Sequence, residues 1–282
     1  MKKPVRQGEA FLADVARARQ EREKLHLWWL GQSGFLVLWQ DDFLLFDPYL
    51  SDSLTTKYAS TPKPHVRMVE RVIEPERLDF VSVVTSSHNH TDHLDGETLG
   101  SLLNVNPGLT VLVSAANRQF AAERLRVSPE RLTPCQCDQP LNLGDWTFHA
   151  VPAAHEDLSV DKNGNHRFIG LVVEAGPWTL YHSGDTARYD GMAELLRPFS
   201  IDIAMLPING RDPARGVAGN LWGSEAVQLA RDARIKTVIP CHFDMFEFNT
   251  VTPDAFVAAA EESGQDYHLL RNGERWSIQE RP

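Results

Sequence analysis

Cysteine is scarce: Cys135, Cys137 and Cys241 are the only three in 282 residues. An odd, small count in a long chain is no disulfide framework, so a reducing cytoplasm is the expected setting. Long apolar runs are missing as well. None approaches the ~18 residues of a membrane-spanning helix, and Met1-Lys2-Lys3-Pro4 has no apolar segment behind it, so neither a span nor a secretory signal is expected. Basic charge is in deficit: 28 Lys+Arg against 38 Asp+Glu leave a net charge of −10. That balance argues against nucleic acid as the main partner. No linker, charge block, low-complexity tract or short internal repeat is visible. What is present is ordinary for a globular protein, 42% hydrophobic and 23% charged. The exception is eleven histidines, more than packing needs.

Apolar residues Phe11, Leu12, Val15 and Ala16 place one helix face within residues 8–24. Residues 26–30, 34–39 and 43–46 read as a β-meander punctuated by Gly31-Gln32-Ser33 and Asp41-Asp42. The stretch 50–77, with Pro62, Pro64 and Pro75, is irregular and is where specificity is expected to sit. Strand, helix, strand, helix follow at 80–85, 97–103, 109–113 and from a Ser114 cap to Leu125. β-structure returns at 141–151, 168–174 and 178–182. A second alternating half has helices at 189–196, 224–233 and 254–263, strands at 202–206 and 236–240, and closing strands near 266–270 and 275–279. Two β-rich halves with helices predict packed sheets with helices outside. The Trp28-Trp29 pair should put one indole on each sheet face.

Ser87-His88-Asn89-His90-Thr91-Asp92-His93 is the key segment. Three histidines and an aspartate lie within six residues, directly after an apolar strand. Imidazole and carboxylate suit zinc and other first-row divalent ions. His88 and His90 could reach one ion, and Asp92 and His93 could turn towards a second about 3.5–4 Å away. The bland alternative is a polar surface loop.

His88-Asn89-His90-Thr91-Asp92-His93 resembles the H-x-H-x-D-H signature of the metallo-β-lactamase superfamily. The family's remaining ligands have candidates in the right order. His155 closes Val151-Pro152-Ala153-Ala154, Asp185 lies in Tyr181-His182-Ser183-Gly184-Asp185-Thr186, and His242 follows Thr237-Val238-Ile239-Pro240. The resemblance covers residues 26–245. Within the superfamily the chain is most similar to the L-ascorbate-6-phosphate lactonase branch. Trp28-Trp29-Leu30-Gly31-Gln32-Ser33-Gly34, Leu180 to Asp185, Ile201 to Ala204, Pro213-Ala214-Arg215-Gly216 and Val238 to Asp244 carry that likeness. Phe243 stands where the lactonase has a second histidine, and Ala214 is inserted before Arg215. Residues 88–95 also resemble the motif of N-acyl-phosphatidylethanolamine phospholipase D, a phosphodiesterase.

The resemblance implies an α/β, αββα four-layer sandwich: two mixed β-sheets face to face with helices outside, each half of the chain giving one sheet. It implies one domain over residues 1–282, with 1–25 as an N-terminal helical extension. It also implies one or two divalent metal ions, zinc or manganese. His88, His90 and His155 would hold one ion, and Asp92, His93 and His242 the other. Asp185 would bridge them, and Asp92 would also steer the nucleophile. The implied chemistry is attack by a metal-activated hydroxide on a small anionic lactone or ester, or on a phosphodiester. A small-molecule substrate, with no nucleic acid or membrane partner, is expected, and family members are often homo-oligomers.

Other residues are weighed on local pattern. Arg211 and Arg215, in Asn209-Gly210-Arg211-Asp212-Pro213-Ala214-Arg215, are candidate anion anchors. A solvated loop is the alternative. Asn209 and Trp222 are weaker candidates. His182 is a candidate for substrate contact or packing. Asp95 reads as a helix N-cap ahead of Glu97, with support of a ligand histidine as the alternative. His26, His65, His149, His166 and His268 read as structural. Cys135-x-Cys137 lacks the spacing of a zinc ribbon.

Overall fold

The computed structural model describes residues 1–279. The chain starts with helix α1 (Glu9–Ala18) and the antiparallel meander β1 (Leu25–Gly31), β2 (Gly34–Trp39) and β3 (Asp42–Phe46). A short helix α2 (Ser53–Tyr58) interrupts an otherwise irregular segment. Then come β4 (Val83–Ser86), α3 (Gly96–Val105), β5 (Thr110–Ser114), α4 (Arg118–Leu125) and β6 (Leu132–Cys135). The second half holds β7 (Leu141–Leu143), β8 (Trp146–Pro152), β9 (Ile169–Ala175), β10 (Trp178–His182), α5 (Met192–Leu196) and β11 (Ile203–Pro207). It closes with α6 (Gly223–Ala233), β12 (Thr237–Cys241), α7 (Asp254–Ser263), β13 (Asp266–Tyr267) and β14 (Arg275–Ile278).

Two seven-stranded sheets result, in the orders β14-β1-β2-β3-β4-β5-β6 and β13-β12-β11-β10-β9-β8-β7. Both are mixed. In the first, β3 to β6 run parallel and the meander antiparallel; in the second, β10 to β13 run parallel and β7 to β10 antiparallel. Period-two alternation sorts each strand's side chains onto two faces. Trp29, Phe35, Val37, Leu44 and Phe46 pack against the second sheet, together with Phe148, Leu171, Val173 and Leu180. Trp28, Leu36, Leu38, Phe43 and Leu45 face the other way, against Phe11 and Val15 of α1 and Leu99 and Leu102 of α3. Helices α6 and α7 cover the second sheet's outer face through Ala226, Ala230, Phe256 and Ala260. The layers are helix, sheet, sheet, helix, and the two adjacent indoles serve different layers, as the alternation requires. Covered on both faces, β1 and β2 are buried along their whole length.

Several boundaries differ from the sequence reading. Helix α1 stops at Ala18 because the next six residues, Arg19 to Lys24, offer no apolar side chain to bury. Ser114 caps a single tight turn, Ala115–Asn117, before α4 rather than α4 itself. Strand β6 left no clear signal: it is a four-residue edge with Pro134 inside it, tolerated where no outer neighbour needs the N–H. The halves do not each close their own sheet either. Strand β14 crosses back to pair with β1, Leu25 opposite Ile278. No described helix is long and apolar enough to cross a membrane.

Candidate metal centre

Four strands of the two sheets end at one edge and deliver the motif residues there. The histidine loop follows β4, His155 follows β8, Asp185 follows β10 and His242 follows β12. The turn before Asp185 requires glycine. Gly184 has φ +59°, and a Cβ on it would come within 2.7 Å of Ser87 and 2.9 Å of the Ile169 carbonyl. Asp47 and His242 hold left-handed backbone conformations, φ 35° and 63°. Such positions cost energy for non-glycine residues and cluster at functional sites.

Two groups of donors form. His88, His90, His155 and Asp185 each present a ligand atom, all within 4.8 Å of one another. Asp92, His93, Asp185 and His242 do the same. Asp185 belongs to both and lies between them: its carboxylate oxygens are 3.2 Å from His93 Nε2, 3.3 Å from His242 Nε2 and 3.7 Å from His155 Nε2. Asp92 Oδ2 lies 3.4 Å from His242 Nε2.

The outward nitrogens of three histidines are fixed from behind. His93 Nδ1 is 2.8 Å from Asp47 Oδ2, His88 Nδ1 is 3.0 Å from Ser87 Oγ, and His155 Nδ1 is 3.0 Å from the Gly219 carbonyl. In the neutral ring, a hydrogen on Nδ1 leaves Nε2 with a bare lone pair aimed at the cluster, the arrangement that orients metal-binding imidazoles. His88 Nε2, His93 Nε2 and Asp185 Oδ1 are buried with no hydrogen-bond partner among the described residues. Buried polar atoms are normally satisfied, so converging orphans of this chemistry fit a divalent cation.

The charges respond to one another. Burial raises the Asp185 carboxyl, but the adjoining His242 and His93 outweigh it and hold it well below the usual carboxylate range. Burial lowers His242, yet the charge of Asp185 and hydrogen bonds to Asp185 and Asp92 lift it to about 9. Burial lowers His93 as well, but the charges of Asp185 and Asp92, with Asp47 bonded behind it, raise it well above the usual histidine range. His88 is pushed well down by burial and then by His93.

Other expected site residues lie elsewhere. Arg211 is not in the cavity. Its guanidinium forks onto Glu225, 2.6 Å to each oxygen, because Glu225 in the first turn of α6 faces it. Arg215 donates to the Asn209 carbonyl at 2.6 Å and to Asn249 Oδ1 at 3.1 Å, and so ties its loop down. Asn209 is fully buried and spends its amide on Asn249 and Asn220. His182 is also fully interior. It stacks on Phe46 at 4.9 Å and bonds the Ser33 carbonyl at 2.8 Å, with no face left for substrate. Trp222 lies outside the cavity and covers Gly210. Asp95 caps α3 through Thr98 N, 3.2 Å away.

Three residues escaped the sequence reading. Asp47 is fully buried and receives hydrogen bonds from Thr85 Oγ1, Ser87 N and His93. Its one signal is an acid at the end of an apolar strand. Gln32, in the turn between β1 and β2, donates to Asp92 Oδ2 at 2.8 Å. His65, which reads as structural from the sequence, lines the cavity above the clusters, about 440 Å³ in volume. Nothing in its local pattern marks it.

A family model described as a beta-lactamase superfamily domain matches residues 43–243. The chain belongs to the beta-lactamase superfamily. Among curated superfamily relatives it is similar to a UPF0173 metal-dependent hydrolase of Metallosphaera sedula, 26% identical over 249 residues, covering 87% of this chain and 96% of that one. It is also similar to a UPF0173 metal-dependent hydrolase of Myxococcus xanthus, 29% identical over 252 residues, covering 86% of this chain and 79% of that one. Among solved structures it shares the fold of Igni18, a metallo hydrolase from Ignicoccus hospitalis, with a TM-score of 0.66, 17% identity, and coverage of 90% of this chain and 98% of that one.

Proposed function

We propose that this chain is a metal-dependent hydrolase acting on a small anionic lactone or ester, in the manner of the L-ascorbate-6-phosphate lactonase branch. The observation that carries the reading is the pair of donor clusters sharing Asp185. His88, His90 and His155 would hold one ion, Asp92, His93 and His242 a second, and Asp185 would bridge them. Divalent ions held there would supply Lewis acidity and would lower the pKa of a bound water towards neutrality. The chain's own residues do the rest. Asp47, Ser87 and the Gly219 carbonyl orient imidazoles through their Nδ1 atoms. Gln32 holds Asp92 in place, and Asp92 would steer the attacking water. Relatives described as metal-dependent hydrolases support the reaction class.

Phosphodiester hydrolysis is the second reading, favoured by the cationic side chains Lys57, Lys63 and Arg124 around the cavity. The deciding experiment measures metal content of the purified protein and its hydrolysis of lactone and phosphodiester panels with added Mn²⁺ or Zn²⁺. One to two ions per chain with lactone turnover is the expected result. Phosphodiester turnover alone would favour the second reading. Retained activity in His88→Ala, Asp185→Ala and His242→Ala together would end both.

A further inference from the structure

The cavity wall is charged against the rest of the molecule. The chain carries −10 overall, yet among the described residues the only carboxylates lining the cavity are Asp92 and Asp185, both within the donor clusters. Above them the charged side chains are all cationic: Lys57, Lys63 and Arg124. Arg124 donates to backbone carbonyls, Asn89 at 2.7 Å and Leu94 at 3.1 Å. Lys63 donates to the Arg215 carbonyl. None of the three is matched to a carboxylate by an ion pair among the described residues, so their charges remain available to a ligand.

The two lysines share a wall with aromatic rings. His65 stacks on Tyr58, centroids 4.4 Å apart and planes 25° from parallel. It also meets Phe248 at 5.2 Å. Lys57 Nζ lies 5.0 Å from the Tyr58 ring centre, and Lys63 Nζ lies 5.9 Å from that of Phe248. Each ammonium therefore sits beside a flat apolar face. Aromatic rings pair favourably with other rings, and ammonium groups attract anions.

We propose that this wall selects substrates whose anionic group is attached to a planar ring, the ring resting on Tyr58, His65 and Phe248 and the anion reaching Lys57 and Lys63. The chemical class is an ester or lactone of an anionic aromatic compound. This rests on the hydrolase reading above for the bond that breaks: water adds its oxygen to the acyl carbon, the bond to the leaving oxygen breaks, and the water's proton passes to that oxygen. The recognition step stands apart from it.

Calorimetric titration of the purified chain with phenylphosphonate and methylphosphonate tests the recognition. Wild type should bind phenylphosphonate about tenfold more tightly. Lys57→Gln and Lys63→Gln should each weaken both ligands about fivefold to tenfold, and less so at high salt. Phe248→Ala should reduce the phenyl preference. Lys57 is exposed, so its variant tests the charge without endangering the fold. Affinities within about twofold of wild type in both lysine variants would mean that the donor clusters alone hold the anion, and would overturn the proposal. Equal binding of the two phosphonates by wild type would overturn the aromatic half of it. Absence of ester or lactone turnover by wild type, with the binding pattern intact, would instead remove the hydrolase reading alone.

Discussion

Asp47 and His93 form a buried pair, Oδ2 to Nδ1 at 2.8 Å, with neither side chain exposed. Asp47 directly follows β3 and His93 lies in the loop after β4, and these two strands pair in parallel. Asp47 is itself fixed by Thr85 and the Ser87 backbone. The pair thus ties a donor-cluster imidazole to the rigid sheet and sets which nitrogen faces the cluster. Asp47→Asn keeps the size and removes the charge. It should weaken metal affinity by about 10-fold to 100-fold, read by competition with a chromophoric chelator. Unchanged affinity in a folded variant would deny Asp47 this role.

Metal uptake should release protons. In protein stripped by a chelator, His242 titrates near 9 because Asp185 and Asp92 outweigh its burial. The sign follows from linkage: stability from the protonated pair is complete below the ordinary histidine value of about 6.5 and fades as pH rises through about 9. Metal binding needs the neutral ring, so affinity should rise through that same window. Calorimetry at pH 7.5 in two buffers of different ionisation heat should give net proton release, and none would contradict this.

Arg211→Ala should leave KM for anionic substrates unchanged, because Glu225 already takes both guanidinium arms. The exposed pair should cost less than about 1 kcal/mol of stability when broken. A KM increase confined to anionic substrates would restore Arg211 as an anchor.

Asp14 clasps the N-terminal helix to the sheet. It is 1% exposed, accepts from Trp28 Nε1 at 3.0 Å, and meets Arg17 at 3.0 Å and Arg275 at 3.3 Å. Asp14→Ala leaves the largely buried Arg275 without its partner and should lower stability by roughly 3 kcal/mol. Urea unfolding measures this, and a loss under about 1 kcal/mol would place the clasp among surface pairs.

The sequence by itself determined the parts that are local. Alternation over Trp28 to Trp39 placed two layers on opposite faces of one sheet. Tight spacing in His88 to His93, with His155, Asp185 and His242 after later strands, marked the donors that meet. Those signals need only a few neighbouring residues, or a strand followed by a loop. Tertiary structure decided everything that depends on a distant partner. Pairing of β14 with β1 joins residues about 250 positions apart, which no period announces. Arg211 looked free until α6 brought Glu225 to it. His182 was open to either substrate contact or packing until Phe46 closed over it. His65 looked idle until α2 and the loop after β12 enclosed it in aromatic rings. A side chain's chemistry is written in its type, but whether that chemistry is spent internally or left for a ligand depends on which groups the fold packs against it.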